Sequence, residues 1–141
     1  MTTPAYTTLV EDICQHLATL KVGTYTATGV YQTGTQWPIY RSRIPDEAPM
    51  GISVAVYGDD RFRDKYAADM LVQIRVRGTK NPDVTNSKAD QIFELLNDET
   101  HLTLNNRTRV LHCTRHLRTP EEPDSNQRWN RADSYTFTVN P

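Results

Sequence analysis

Most of the features that identify an enzyme or a membrane protein are absent from this sequence. The chain has only two cysteines, Cys14 and Cys113, and they lack the spacing of a metal or redox motif. No apolar stretch approaches the roughly 18 residues needed to cross a bilayer, and no basic segment followed by an apolar run opens the chain. We therefore expect buried thiols, no signal peptide and no membrane span.

A strong excess of charge of one sign is also lacking. The formal net charge is −1 over 141 residues, whereas domains that bind nucleic acid through its phosphates are usually clearly basic. The 16 basic residues are 12 arginines and only 4 lysines. Arginine is enriched at protein interfaces because its planar guanidinium group makes several directed hydrogen bonds. The composition argues against general nucleic-acid binding and favours contacts between proteins.

Catalytic and metal-binding motifs are missing as well. The sequence has no Gly-rich phosphate loop and no serine between glycines at a strand-to-helix turn. His112 and His116 share a face of a predicted strand about 13 Å apart, which is too far for two ligands of one zinc ion. The carboxylates of residues 59–69 alternate with basic residues that neutralise them. We expect no catalytic residue, no bound metal and no cofactor.

Two segments have the apolar periodicity of helices. Apolar residues recur every three or four positions over residues 4–21, and a second stripe of this kind runs over residues 82–97. Asn81 and Pro82 suit the start of the second helix. Each stripe requires a surface to pack against, so both helices are predicted to lie on a sheet.

Strands are predicted at residues 24–33, 51–57, 69–78, 108–117 and 134–139. The clearest of these, 69–78, has one apolar and one polar face. The apolar face consists of Met70, Val72, Ile74 and Val76, and the polar face includes Gln73, Arg75 and Arg77. The order of elements predicts an α+β fold, in which a mainly antiparallel mixed sheet carries two helices on one face and has long polar loops.

Three predicted connections, residues 33–50, 58–68 and 118–132, combine arginines, acids and aromatic residues. Connections of this length are uncommon unless they are functional, and Trp, Tyr and Arg concentrate binding energy at protein interfaces. We interpret them as an interface with other subunits or partners, with plain solvated loops as the alternative. The candidate interface residues are Trp37, Arg41, Arg43, Arg61, Phe62, Arg63, Arg128, Trp129 and Arg131.

The segment QWPIYRSRIPDEAPMG, Gln36–Gly51, has three prolines, which fix backbone angles and disfavour regular pairing. We expect an arm anchored to the domain outside the ladder of strands. The expected anchors are Trp37, Ile39 and Ile44, and the residues expected to stay outside are Arg41, Arg43, Asp46 and Glu47.

Four pieces of the chain form a recognisable order. They are the amphipathic N-terminal helix, WPIYRSRIPDEAPMGISVAVYGDD (37–60), LVQIRVRGTKNPDVTNSKADQIFELLND (71–98) and the closing NRADSYTFTVNP (130–141). Together they span nearly the whole sequence. This order resembles that of the tail terminator or minor capsid proteins of long-tailed bacteriophages.

The resemblance implies a structural virion protein with a single domain over residues 1–141, no catalysis and no cofactor. Such proteins form a six-membered ring at the head-proximal end of the tail, assembled in the host cytoplasm. The ring stops growth of the tail tube, offers a docking surface to the head connector and lets DNA pass through its lumen. The implied partners are further copies of the chain, the major tail tube protein and the connector, with no membrane.

In such a ring, residues 58–68 and 118–132 are candidates for two complementary subunit patches. The face of Gln73, Arg75 and Arg77 would line the lumen or meet a neighbour, with a plain solvent face as the alternative. The competing hypotheses are a head–tail connector or head-completion protein, a nucleic-acid-binding module and a small hydrolase. The nucleic-acid hypothesis would use Arg75, Arg77, Trp129 and Arg131 as a basic aromatic platform.

Overall fold

The computed structural model of the chain describes residues 5–64 and 67–140, with the side chains of residues 61–64 left out of the description. The described residues contain two helices and eight strands. In chain order they are α1 Tyr6–Thr19, β1 Thr24–Tyr25, β2 Pro38–Arg41, β3 Gly51–Asp64, β4 Ala67–Arg77, α2 Pro82–Leu96, β5 Glu99–Leu104, β6 Thr108–Arg118, β7 Glu122–Pro123 and β8 Trp129–Val139.

All eight strands belong to one mixed sheet. Its strand order is β1-β2-β3-β4-β8-β6-β5. The two-residue strand β7 also pairs with β8 but is not part of this order. β1 pairs with β2 and β2 with β3 in parallel, while every other pairing is antiparallel. The predicted α+β class and the mainly antiparallel mixed sheet are confirmed.

The core lies between the two helices and one face of this sheet. Ile13 and Leu17 of α1 and Ile92 and Leu96 of α2 are almost completely buried in a single apolar cluster. The sheet contributes the predicted apolar face of β4 to the same cluster, and its four residues are Met70, Val72, Ile74 and Val76. The opposite face of the sheet carries polar side chains, as the alternation predicted.

The start of the second helix is also as predicted. The Asn81 side chain accepts a hydrogen bond of 3.0 Å from the Asp83 amide, and Pro82 occupies the first turn. The first helix was predicted to begin at residue 4, which lies outside the described residues.

Two predicted strands have different extents from those observed. The strand predicted at 24–33 is reduced to Thr24–Tyr25, because the chain turns at Gly29 and the Tyr31 hydroxyl bonds to backbone groups at Thr26 and Ile39. The last strand begins at Trp129 instead of residue 134. Its polar first half was predicted as loop, but there the side chains find partners within the subunit.

Two predicted loops also prove to be partly strand. Most of 58–68 continues the β3–β4 hairpin, with Asp59 opposite Met70 and Asp60 opposite Asp69, because the ladder bonds are made by the backbone whatever the side-chain charge. The arm 36–51 contains β2, which pairs on both sides, so the expectation that prolines exclude it from pairing is wrong. No element was predicted over β5, a short strand of mostly polar residues.

Candidate subunit and partner interface

The arm Gln36–Gly51 is anchored as predicted. Ile39 is 0% and Ile44 4% exposed, and Trp37 is half-buried. The charged residues expected outside are exposed, namely Arg41, Arg43, Asp46 and Glu47. The arm therefore presents its charges from a rigid base.

Trp37 is held in an unusual backbone conformation. Its φ of 48° lies in the left-handed region, which is an outlier for a bulky residue. The conformation directs its carbonyl to the Thr24 amide at 3.0 Å, and Gly23 passes so close that a Cβ there would lie 2.3 Å from the Trp37 carbonyl oxygen. The Lys88 ammonium group lies 5.1 Å from the centre of the indole ring and donates to the Val22 carbonyl. The ring is thus fixed beside α2.

Arg77 of the polar face of β4 and Arg128 of the candidate interface set hold the acidic half of the arm from the inside. Arg77 donates from Nη1 to the carbonyl of Pro45 at 2.8 Å, and Arg128 donates from Nη1 to the carbonyls of Asp46 at 3.0 Å and Ala48 at 2.7 Å. Burial is the main cause that lowers the pKa of Arg77. These guanidinium groups clamp the segment 45–48 to the sheet, and we call this set the arginine clamp.

Asp124 completes the arginine clamp. Its Oδ2 lies 2.9 Å from Nε of Arg128 and 3.8 Å from Nε of Arg77. Desolvation opposes its ionisation, but the amides of Arg128 and Asn126 each donate to Oδ1 at 2.9 Å. These bonds and the neighbouring cations keep the pKa of Asp124 below its usual value.

Arg131 lies inside the protein. It is 1% exposed and makes a bidentate pair with Asp133, with both N–O distances 2.9 Å, and it donates to Asp90 of α2 at 2.8 Å. Burial opposes its charge, but these carboxylates outweigh burial and raise the pKa of Arg131. Arg115 joins the same site, 3.2 Å from Asp133. This network connects β8 and β6 to α2.

The remaining predicted residues are placed as follows. Arg75 is exposed and Gln73 half-buried on the polar face of β4. Trp129 is half-buried at the start of β8, where its carbonyl accepts from the Gly78 amide and the Thr85 hydroxyl. The side chains of Arg61, Phe62 and Arg63 lie outside the described residues.

A shallow depression of about 560 Å³ lies on the polar face of the sheet. Its walls include Gln73, Arg75 and Arg77 from β4 together with Glu122 and Asp124 from the segment before β8. Charges of both signs line it, so it provides hydrogen bonds to a surface and lacks the single-sign field that concentrates a small ion.

Besides the arginine clamp and the Arg131 network, three further internal contacts were missed by sequence reasoning. Asp12 is completely buried and bonds to the Thr108 hydroxyl and to Nε of Arg107 at 2.7 Å. Arg115 stacks on Phe93, with its guanidinium carbon 3.8 Å from the ring centre. Asp12 among the apolar residues of α1 was a signal for the first contact. Arg115, which breaks the alternation of apolar and polar residues in β6, was a signal for the second.

The third contact spans the polar face of the sheet. The Tyr57 hydroxyl lies 3.2 Å from Nε2 of His116, whose Nδ1 lies 3.1 Å from the Thr136 hydroxyl. β3 and β6 are separated by β4 and β8, so sequence spacing gave no indication of this pair.

The described residues give no indication of a reactive thiol or of a metal-binding cluster. Cys14 and Cys113 are both free and buried, as expected, and burial raises the pKa of each thiol to about 12. At neutral pH both are therefore protonated and poorly nucleophilic. In the described part of the chain, no group of three His, Cys, Asp or Glu side chains is arranged to bind a metal.

Neither α1 nor α2, the helices among residues 5–64 and 67–140, has the length and apolar character needed to cross a membrane. The described geometry is that of a mixed sheet with two helices on one face and with exposed arginines on the arm and on β4. The family model of the bacteriophage tail terminator protein matches residues 16–141, and the chain belongs to this family. It is therefore a structural protein of the phage tail. No curated protein matches the chain.

Proposed function

We propose that copies of this protein form a ring on the last ring of the tail tube, stop its polymerisation and provide the surface on which the head connector docks. The observation that carries the proposal is the family match over residues 16–141. A ring of six copies, a position at the head-proximal end of the tail and folding of residues 1–141 as one domain belong to the same proposal. So do its partners, the major tail tube protein and the connector.

The exposed part of the candidate set supports a ring. A closed ring of identical subunits requires two different patches that complement each other around the axis. Arg41 and Arg43 are exposed on the anchored arm and form one candidate patch, in which Arg41 also donates from Nη2 to the Ala27 carbonyl at 3.1 Å. We propose that Arg61, Phe62 and Arg63, near the end of the β3–β4 hairpin, contribute to the second. Trp129 lies at the other end of β4, next to the residue that pairs with Arg77, so we propose for it a separate contact with a partner.

The clamp and the buried network have a supporting role in this proposal. Arg77, Arg128 and Arg131 bind groups of their own subunit, so we assign them to holding the patches in shape. A rigid patch loses less conformational entropy on binding than a mobile one.

The polar face of β4 suits a lumen or a contact between subunits. Gln73 and Arg75 project from it, while the net charge of −1 leaves the chain nearly neutral. Each additional phosphate contact adds salt-dependent affinity for DNA. A lumen that DNA crosses should therefore make few such contacts, which agrees with the nearly balanced charge of the chain.

Electron microscopy of tails made without this protein tests the proposal. We expect tubes longer than those of the complete phage, and we expect added purified protein to cap them at the normal length. Tubes of normal length that fail to join heads would contradict termination and indicate a connector instead.

A further inference from the structure

The strand β3 loses its neighbour halfway along one edge. β2 ends at Arg41, which lies opposite Val54, and the next residue, Ser42, turns away with a φ of 74°. The Ser42 amide makes the last bond on this side, 2.8 Å to the Val54 carbonyl. Among the described residues, no strand pairs with this edge of β3 beyond Val54.

The exposed edge offers backbone groups for pairing. Alternate residues of a strand direct their amide and carbonyl groups to the same side. Because Val54 bonds towards β2, Val56 directs its N–H and C=O towards the same side, beyond the end of β2. Such an edge is a template for a further strand.

A groove of about 600 Å³ lies beside this edge, and we call it the β3 groove. Ala55 and Val56 form one side and Val10 of α1 the other, while Arg41 and Arg43 stand at the rim. Of the described residues that line it, none is acidic. The Asp59 carboxylate nearby accepts a hydrogen bond from the Tyr6 hydroxyl of the groove wall. The charge at the rim is that of the two arginines, which fits an extended segment that carries carboxylates.

The other end of the sheet has a segment of this kind. β5 is the last strand of the sheet and pairs only with β6 on its inner side. Its first residue, Glu99, is exposed and follows Asp98, whose side chain is 84% exposed. Two other acidic segments, Asp46–Glu47 and Glu121–Asp124, are flanked or interrupted by prolines, which cannot donate to a ladder.

We propose that the β3 groove of one subunit receives β5 of the neighbouring subunit, with Glu99 against Arg43, so that the sheet continues from subunit to subunit. This inference rests on the proposed ring. It joins two different edges of the same molecule, which is the head-to-tail arrangement that closes into a ring.

Irregularities on both strands determine the register. The ladder of β3 shifts between Val56 and Gly58, and β5 contains His101 with a φ of 55°. Edges broken in this way resist random strand addition. Two such edges pair well in few registers, so the same irregularities favour one specific neighbour.

Charge reversal with rescue tests the pairing. In R43E we expect the apparent dissociation constant of the ring to rise at least about tenfold, since a carboxylate would then face Glu99. The double variant R43E/E99R should recover most of the affinity. K80E, which reverses an exposed cation in the turn before α2, is the matched control and should assemble normally. Ring mass by light scattering gives the readout.

Hydrogen exchange supplies a second readout. Amides of residues 55–58 and 99–104 should exchange more slowly in the native ring than in R43E. An intact ring in R43E, or a double variant no better than R43E, would overturn the pairing while leaving tail termination in place. By contrast, a native chain that makes no ring on tails would contradict the proposed function itself.

Discussion

The arginines predicted to meet a neighbour, a partner or the lumen belong to two regions that differ in what their donors touch. In the arginine clamp and the buried network, Arg77, Arg128 and Arg131 donate to carbonyl and carboxylate groups of their own subunit. Arg43 and Arg75 project into solvent from the arm and from β4. An arginine whose donors are already used stabilises the fold, whereas an exposed one remains available to a neighbour.

The buried network should show the largest effect on stability. R131A would leave the Asp133 carboxylate, itself 3% exposed, with only the longer bond from Arg115. Breaking a buried ion pair from one side typically costs about 3–5 kcal/mol. We expect a loss of this size in the free energy of unfolding, measured by urea denaturation.

A double variant separates the effect of breaking the ion pair from the effect of losing side-chain volume. R131M/D133L replaces both charges by apolar groups, which is often close to neutral for buried pairs. Because it also leaves Arg115 without its carboxylate partner, it should regain part of the stability lost in R131A. If R131A lost less than about 1 kcal/mol, the network would resemble a surface pair instead of a buried one.

The arginine clamp should show an intermediate effect. R128A removes the donors to the carbonyls of Asp46 and Ala48 and the pair with Asp124. Hydrogen bonds from charged groups are worth about 1.5–3 kcal/mol each when partly buried, and their losses overlap within one network. We expect R128A to lose about 1–3 kcal/mol in the free energy of unfolding.

The same variant should have a local signature. Amide exchange should accelerate over residues 45–50 more than over the buried strand β4, because the clamp fixes the segment after β2. R118A, which removes a more exposed arginine at the end of β6, is the control. Equal acceleration in both variants would show that Arg128 does not fix the arm.

The sequence predicted the elements whose residues repeat with a clear period. α1, α2 and β4 follow from apolar stripes, and their buried apolar residues belong to the core. The first half of β8 was missed because its polar residues resemble a loop until Arg131 and Asp133 are seen to pair. The two residues are separated by one position, and this spacing was a signal for the pair, since alternate residues of a strand share a face.

The arginine clamp lay beyond sequence reasoning for a different reason. Arg77 and Arg128 bind backbone carbonyls 29 to 82 residues away, and a carbonyl carries no side-chain signature. Residue type indicated that arginines matter in these segments. Only the fold decides which of them point inward, because the β4–β8 register, with Arg77 opposite Asn130, and the turn before β8 bring Arg77, Arg128 and Asp124 to the same place.

The exposed arginine of β4 should give the smallest effect on stability and a clear effect on assembly. R75A removes a solvent-exposed side chain, and surface substitutions usually change the free energy of unfolding by less than about 0.5 kcal/mol. If the polar face of β4 meets a neighbour or lines the lumen, R75A should fold normally yet support fewer complete tails in an assembly assay. R75K keeps the charge without the planar fork and should show the smaller defect if charge alone matters. Normal tail yield in R75A would assign this face to solvent, and the exposed arginines of the arm would then be the better candidates for contact with partners.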